Sequence, residues 1–372
     1  MQELSGFKAF FIFIGSLLIS FSITLFLRYF GKIDHIGIHF RKMQRGNKAR
    51  FFEKYLSFIT GLILIPTILN FINGQDINFS NGNKYKIFDD DTYSQDLTNG
   101  SQGGTNLLSL ILGGFLMGVG TKMTKGSTLN HAIIGIPKMQ KQSIVIVLLS
   151  IEVAVLVSTF KSYIPFLSMN NLKFSDFFQQ IMHYLCWILF LFMQFTCFYL
   201  THQTFMWFYK LQYILNYIFG AVLGIGLTLC GFCSPSLFRS SLAVGDQWNS
   251  TVTLSLISTV VFNSISFNLY LDDETPKFER ILGDLKQPNR EEKNIFNKRL
   301  LFGAAIMGSG LGLSGLQPMT ALINLFTCFH VIVIWLATFA SGQTFYQIIK
   351  TLLGRIRNQN ECGEFLIHPY QR

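Results

Sequence analysis

The sequence predicts an all-α polytopic membrane protein with about nine hydrophobic segments, several of them broken by glycine and arranged as a pseudo-symmetric repeat. Three observations lead there. Of 372 residues, 50% are hydrophobic and only 13% charged, about half the charged share that a soluble domain carries. The mean hydropathy is +0.38. There are 31 glycines and 39 phenylalanines, a balance suited to close helix packing in lipid. This excludes a soluble enzyme, a disordered chain and a disulfide scaffold. The net charge of +10 follows the tendency of one membrane face to carry basic loops, and with no aromatic residues interleaved among exposed basic ones no nucleic-acid partner is expected.

The elements follow in order. The first apolar run, about Phe7 to Phe30, is long enough to span a bilayer. It is too long for a cleaved leader, and Gly31-Lys32-Ile33-Asp34 is no small-residue cleavage site. A second run follows at about Tyr55 to Ile72, after a basic loop at 31–50. The polar stretch 74–104 holds five aspartates and the sequons at Asn78 and Asn99, so it belongs on the opposite face. Further runs lie near 106–121, 143–160, 181–201, 211–230, 251–271, 301–316 and 320–346. The stretch 272–299 carries seven acids and seven bases and reads as a solvated linker. This divides the chain into a first half at 1–210, a second half at 211–349 and a tail at 350–372.

Three Gly-broken segments resemble one another. Gly118-Val119-Gly120, Gly224-Ile225-Gly226 and Gly308-Ser309-Gly310 are followed by Gly126, Gly231 and Gly315, and nine residues after each first glycine stand Ser127, Cys233 and Gln317. A glycine there can end a half-helix. Freed backbone groups cannot be satisfied by lipid, so such ends face protein or a watery path, and N-terminal ends favour an anion. For any one copy, tight helix packing explains G-x-G as well. Three copies with one offset point to the broken helices of a transporter.

At these residues the chain resembles the sulfur-transport family known as YeeE/YedE, which includes thiosulfate transporters, over about residues 11–340. Gly118-Val119-Gly120-Thr121-Lys122-Met123 through Gly126-Ser127-Thr128-Leu129-Asn130-His131 resembles G-F-G-T-R-L-G-S-G-C-T-S-G-H. Gly231-Phe232-Cys233-Ser234-Pro235 resembles G-M-T-D-P, Lys277-Phe278 with Leu300 to Ala305 resembles K-F…L-L-G-A-A, and Gly308 to Leu322 resembles G-I-G-W-G-L-G-G-F-C-P-G-P-A-L. The resemblance implies a path lined by Ser127, Cys233, Gln317, Lys122 and His131. It also implies altered chemistry. The family's path cysteines, weak donors suited to passing a soft anion, are here Ser127 and Gln317, and no cysteine precedes Cys186.

Other candidates carry two readings each. Lys122 attracts an anion or snorkels to the interface. His131 lines the path or caps a helix. Glu152, an acid inside an apolar run, is functional or a hydrogen-bonded carboxyl near a segment end. Cys230 and Cys233 form a C-x-x-C that reads as packing, since no second pair or His cluster accompanies it. No nucleotide loop, catalytic triad or zinc motif is visible, so neither an enzyme nor a cofactor is expected.

Two functions remain open: permeation of a small, thiosulfate-like inorganic anion, and a transport-inactive structural subunit held among other subunits of a large membrane assembly. In either case membrane lipids are partners. The Phe-, Ile-, Asn- and Lys-rich composition suggests an AT-rich genome such as a protist's, hence a divergent eukaryotic family member in an organelle membrane, with the mitochondrial inner membrane expected.

Overall fold

The computed structural model describes residues 6–30, 49–74, 107–161, 163–164, 176–203, 207–242, 248–270, 298–326 and 329–367. The basic loop, the acidic loop with its two sequons, and most of the linker at 272–299 lie outside them. Among the described residues the chain consists of helices and the turns between them, with no strand. Seven helices are long and apolar enough to cross a membrane, and two shorter apolar stretches, Leu56–Ile68 and Ile188–Tyr199, complete the nine segments expected. The protein is an integral membrane protein of all-α class.

The long helices are α1 (Gly6–Phe30), α2 (Ala49–Gly74), α3 (Leu107–Thr124), α5 (Lys141–Lys161), α6 (Asp176–Gln203), α7 (Trp207–Leu229), α9 (Thr251–Tyr270), α10 (Lys298–Ser314) and α12 (Phe329–Ile367). Between them stand three short ones: α4 (Thr128–Asn130, running into a π turn over His131–Gly135), α8 (Pro235–Leu242) and α11 (Pro318–Ile323). Two expected boundaries shift. The apolar run at 320–346 is interrupted after Ile323, so its first residues belong to α11. The helix then continues past 350 to Ile367, through most of the segment set apart as a tail.

Eight of the nine long helices pack as two bundles of four, and α6 lies against α2, α7 and α12. In one, α7 lies against α1 and α2, and α1 against α9; in the other, α10 lies against α3 and α5, and α3 against α12. Each bundle therefore takes helices from both halves of the sequence. Glycine makes the central crossings possible. A Cβ on Gly120 would meet Met307 Cβ at 2.6 Å, and one on Gly310 would meet Met117 N at 2.6 Å. Likewise Gly113 faces Ser314 and Gly303 faces Met123 and Thr124. Rising numbers on α3 meet falling numbers on α10, so the two run antiparallel. The contacts are also reciprocal, which sets a pseudo-twofold axis perpendicular to both helices and relates α3–α4–α5 to α10–α11–α12. Gly118 packs on Phe339 of α12 and Gly308 on Ser150 of α5, as that axis requires. In the other bundle Gly15 faces Cys230 and Gly226 faces Ile19, the same antiparallel reciprocity between α1 and α7. An axis lying across the helices is the geometry of inverted repeats.

Each of the three broken helices ends on one left-handed residue. Gly231 (φ +73°) closes α7 in a Schellman motif: Phe232 N–H donates to Leu227 O (3.1 Å) and Gly231 N–H to Thr228 O (3.0 Å). Gly315 (φ +67°) closes α10 with a single bond to Leu311 O at 2.7 Å. In α3 the left-handed residue is Lys125 (φ +64°), not Gly126 as the glycine pattern suggested. Thr124 Oγ1 donates to Gly126 O at 2.8 Å and holds that turn. A side chain in this region costs on the order of 1 kcal/mol. Lys125→Gly is therefore expected to stabilise the protein by up to about 1 kcal/mol, and Gly231→Ala to destabilise it by about as much. Thermal unfolding in detergent checks both signs.

Candidate functional site at the broken helices

The three short helices start on caps built from the residues nearest each break. Ser127 Oγ accepts from Asn130 N–H (3.4 Å) at the head of α4. Gln317 heads α11, where its N–H donates to Thr320 Oγ1 (3.1 Å), which donates back to Gln317 O (3.0 Å). Pro318 follows at the first helical position, where its missing N–H costs nothing. At α8 the cap is Ser234, whose Oγ accepts from Leu237 N–H at 3.3 Å. Cys233 thus stands one residue ahead of the cap, so the nine-residue offset does not carry the same role in all three copies.

The breaks after α3 and α10 lie toward opposite ends of the bundle, because the end of α3 packs beside the start of α10 and the reverse. Both chains then turn back and meet. Gln317 Oε1 accepts a hydrogen bond from Leu129 N–H at 3.1 Å, so a side chain from one repeat satisfies a freed backbone donor at the head of the other repeat's half-helix. Gln317 is buried. Beside this meeting point lies Thr128, whose buried hydroxyl has no hydrogen-bond partner among the described residues.

Two asparagines tie the far ends of these half-helices to the other bundle. Asn324, after α11, donates through Nδ2 to Cys233 O at 2.6 Å. Asn263, in α9, donates to Ile133 O in the π turn at 2.7 Å, while its buried Oδ1 has no partner among the described residues. Ser127 and Gln317 are therefore brought together at the heads of α4 and α11, and Cys233 joins the opposite end of α11. Lys122 is half-buried in the last turn of α3. His131 Nδ1 lies 3.0 Å from Ser143 Oγ, which donates to Gln140 Oε1 at 3.2 Å; with that direction, His131 Nδ1–H is the donor to Ser143. Cys230 packs into the α1–α9 interface, its Sγ 3.5 Å from Ser16 Oγ and 3.7 Å from Ile12 O. Among the described residues no group of three metal-ligating side chains occurs.

Bulky side chains surround the junctions. Phe232 and Leu316 are 2% and 1% exposed, both belong to the main core cluster, and Met319 packs against that cluster.

The sequence reading missed Asn263, Asn324, Thr128 and Thr320. The asparagines sit alone in apolar runs, and only their burial within a helical span marks them.

A family model described as a family of unknown function, DUF6691, matches residues 211–359, which takes in the second and third broken helices. The chain is similar to proteins described as "Probable transporter" from two strains of Xylella fastidiosa. To that of strain 9a5c it is 27% identical over 131 residues, covering 86% of the relative and 35% of this chain. To that of strain Temecula1 it is 27% identical over 131 residues, covering 84% of the relative. No solved structure matches. The apolar helices make this an integral membrane protein, and over 131 residues it is similar to proteins described as probable transporters.

Proposed function

We propose that the protein passes a small inorganic anion of the thiosulfate class between its two bundles, without enzymatic chemistry, on a YeeE/YedE-like scaffold whose path cysteines have been replaced. The observation that carries this reading is the meeting of two half-helix heads from inverted repeats at Gln317 and Leu129. Irregular backbone at membrane depth is tolerated where it is buried in protein or lines a path, and transporters place their binding sites at such junctions. The relatives described as probable transporters support the same reading. Ser127, Thr128 and Gln317 supply neutral donors along the way, with Lys122 one turn before the first break and His131 one turn after it.

A second reading is favoured by a specific observation. Phe232 and Leu316, the chain neighbours of Cys233 and Gln317, are buried in the main core cluster, which supports a transport-inactive structural subunit, whether in the mitochondrial inner membrane or elsewhere. Uptake of labelled thiosulfate and sulfate into vesicles holding the purified chain decides between the two. Saturable uptake that Gln317→Trp abolishes, with the variant's helicity intact, supports permeation. Absence of flux for either anion, in vesicles where the chain is correctly inserted, supports the structural role.

A further inference from the structure

Glu152 stands on the side of its helix turned away from the other described residues of this chain. It is the eleventh residue after Lys141 and the ninth before Lys161, the two ends of α5. At about 1.5 Å per residue that places it about 14–16 Å from either end of the helix, near the centre of a hydrocarbon layer about 30 Å thick. The face of α5 that packs inward carries Ser143, Ile146, Val147, Ser150 and Ala154, and Gly308 and Gly312 of α10 press against Ser150 and Ala154. Glu152 lies on the opposite face, exposed, in a stripe with Leu148 (64% exposed), Leu156 (51%) and Phe160 (62%) at four-residue spacing. Among the described residues it makes no hydrogen bond and no ion pair. The segment-end carboxyl allowed by the sequence is excluded, since Glu152 is central.

A carboxylate facing hydrocarbon at mid-depth is costly, and intramembrane acids almost always meet a partner. We propose that this face of α5 docks a transmembrane helix of another protein that presents a Lys or Arg at the bilayer centre, with Leu148, Leu156 and Phe160 packing around the ion pair. Charge complementarity selects this occupant over a second copy. Among the described residues the exposed cations of this chain, such as Lys141, Lys298 and Lys350, sit in turns or at the ends of spans. A second copy docked through this same face would set another carboxyl against Glu152 at that depth. The inference is independent of whether the chain conducts.

The test uses the purified full chain in lipid nanodiscs and three labelled Leu-rich transmembrane peptides, identical except for a central Arg, Leu or Glu. Energy transfer reports association. The Arg peptide is expected to bind roughly tenfold more tightly than the Leu peptide. That preference should vanish in Glu152→Leu and shrink in Glu152→Gln, which keeps an acceptor but no charge. Because Glu152 is exposed and makes no hydrogen bond or ion pair among the described residues, both variants should unfold at the wild-type temperature, so a loss of binding is not a loss of structure. Equal binding of the Arg and Leu peptides, or an Arg preference that survives Glu152→Leu, overturns the proposal. A photo-crosslinker at position 156, on the same exposed stripe with Glu152 kept, that captures a second copy of this chain in native membranes overturns it equally.

Discussion

Replacing Gly120 or Gly310 by valine is expected to destabilise the protein by about 3 kcal/mol or more and to lower its yield in monodisperse form. The cause lies at the crossing of α3 and α10. A Cβ on Gly120 falls 2.6 Å from both Met307 Cβ and Met307 N, and one on Gly310 falls 2.6 Å from Met117 N and 2.7 Å from Gly113 O. Most of these neighbours are backbone atoms, which cannot rotate away as the end of a side chain can. The helices must separate, and separation breaks contacts along the whole interface. Overpacking of a dense core typically costs about 1–3 kcal/mol, occasionally more, and two rigid helices in lipid sit at the upper end because close backbone approach is what holds them. The pseudo-symmetry sharpens the expectation: the two variants should suffer equally, since Gly120 meets Met307 as Gly310 meets Met117. Thermal unfolding in detergent checks both. Wild-type stability in either variant means that the helices are not in contact there.

These glycines show which parts of the structure were legible in the sequence. The spacing Gly118–Gly120 and Gly308–Gly310 carried the repeat, because inverted repeats that cross at their centres need small residues at matching places. The nine apolar runs carried the spans, because lipid imposes one length and one composition on any spanning helix. The turn chemistry was harder to read. Lys125 takes the left-handed position that glycine holds at 231 and 315, since the αL penalty is small enough for a fixed turn to overcome. The cap role at α8 passed to Ser234, because the Schellman closure after α7 takes up one more residue than the closures after α3 and α10. Asn263 and Asn324 were invisible as site residues, since their partners, Ile133 O and Cys233 O, lie more than ninety residues away in the chain. Glu152 stood out at once, but only the packing of α5 shows which way it faces.

Gln317→Leu is expected to cost about 1–3 kcal/mol, the penalty for a buried donor left without its acceptor, although leucine fills a similar space and is the more apolar residue. The donor is Leu129 N–H, freed at the head of α4, and Gln317 Oε1 satisfies it at 3.1 Å. Removing the acceptor should loosen the meeting of the two repeats more than it disturbs α11, because the Thr320 hydroxyl still closes that helix through Gln317 N–H and O. Hydrogen exchange separates these effects: protection of the Leu129 amide should fall while that of Ala321, bonded to Gln317 O at 2.8 Å, holds. Gln317→Glu makes the complementary case. It keeps an oxygen in reach of Leu129 and so should retain most of that protection, but when ionised it sets a negative charge at the junction. If an anion passes there, Gln317→Glu should reduce thiosulfate uptake far more than it reduces stability, and the loss should be smaller at acid pH, where the carboxyl is neutral. Equal protection of Leu129 in wild type and Gln317→Leu would mean that the two half-helix heads do not meet, and the inverted-repeat junction would then lose its central contact.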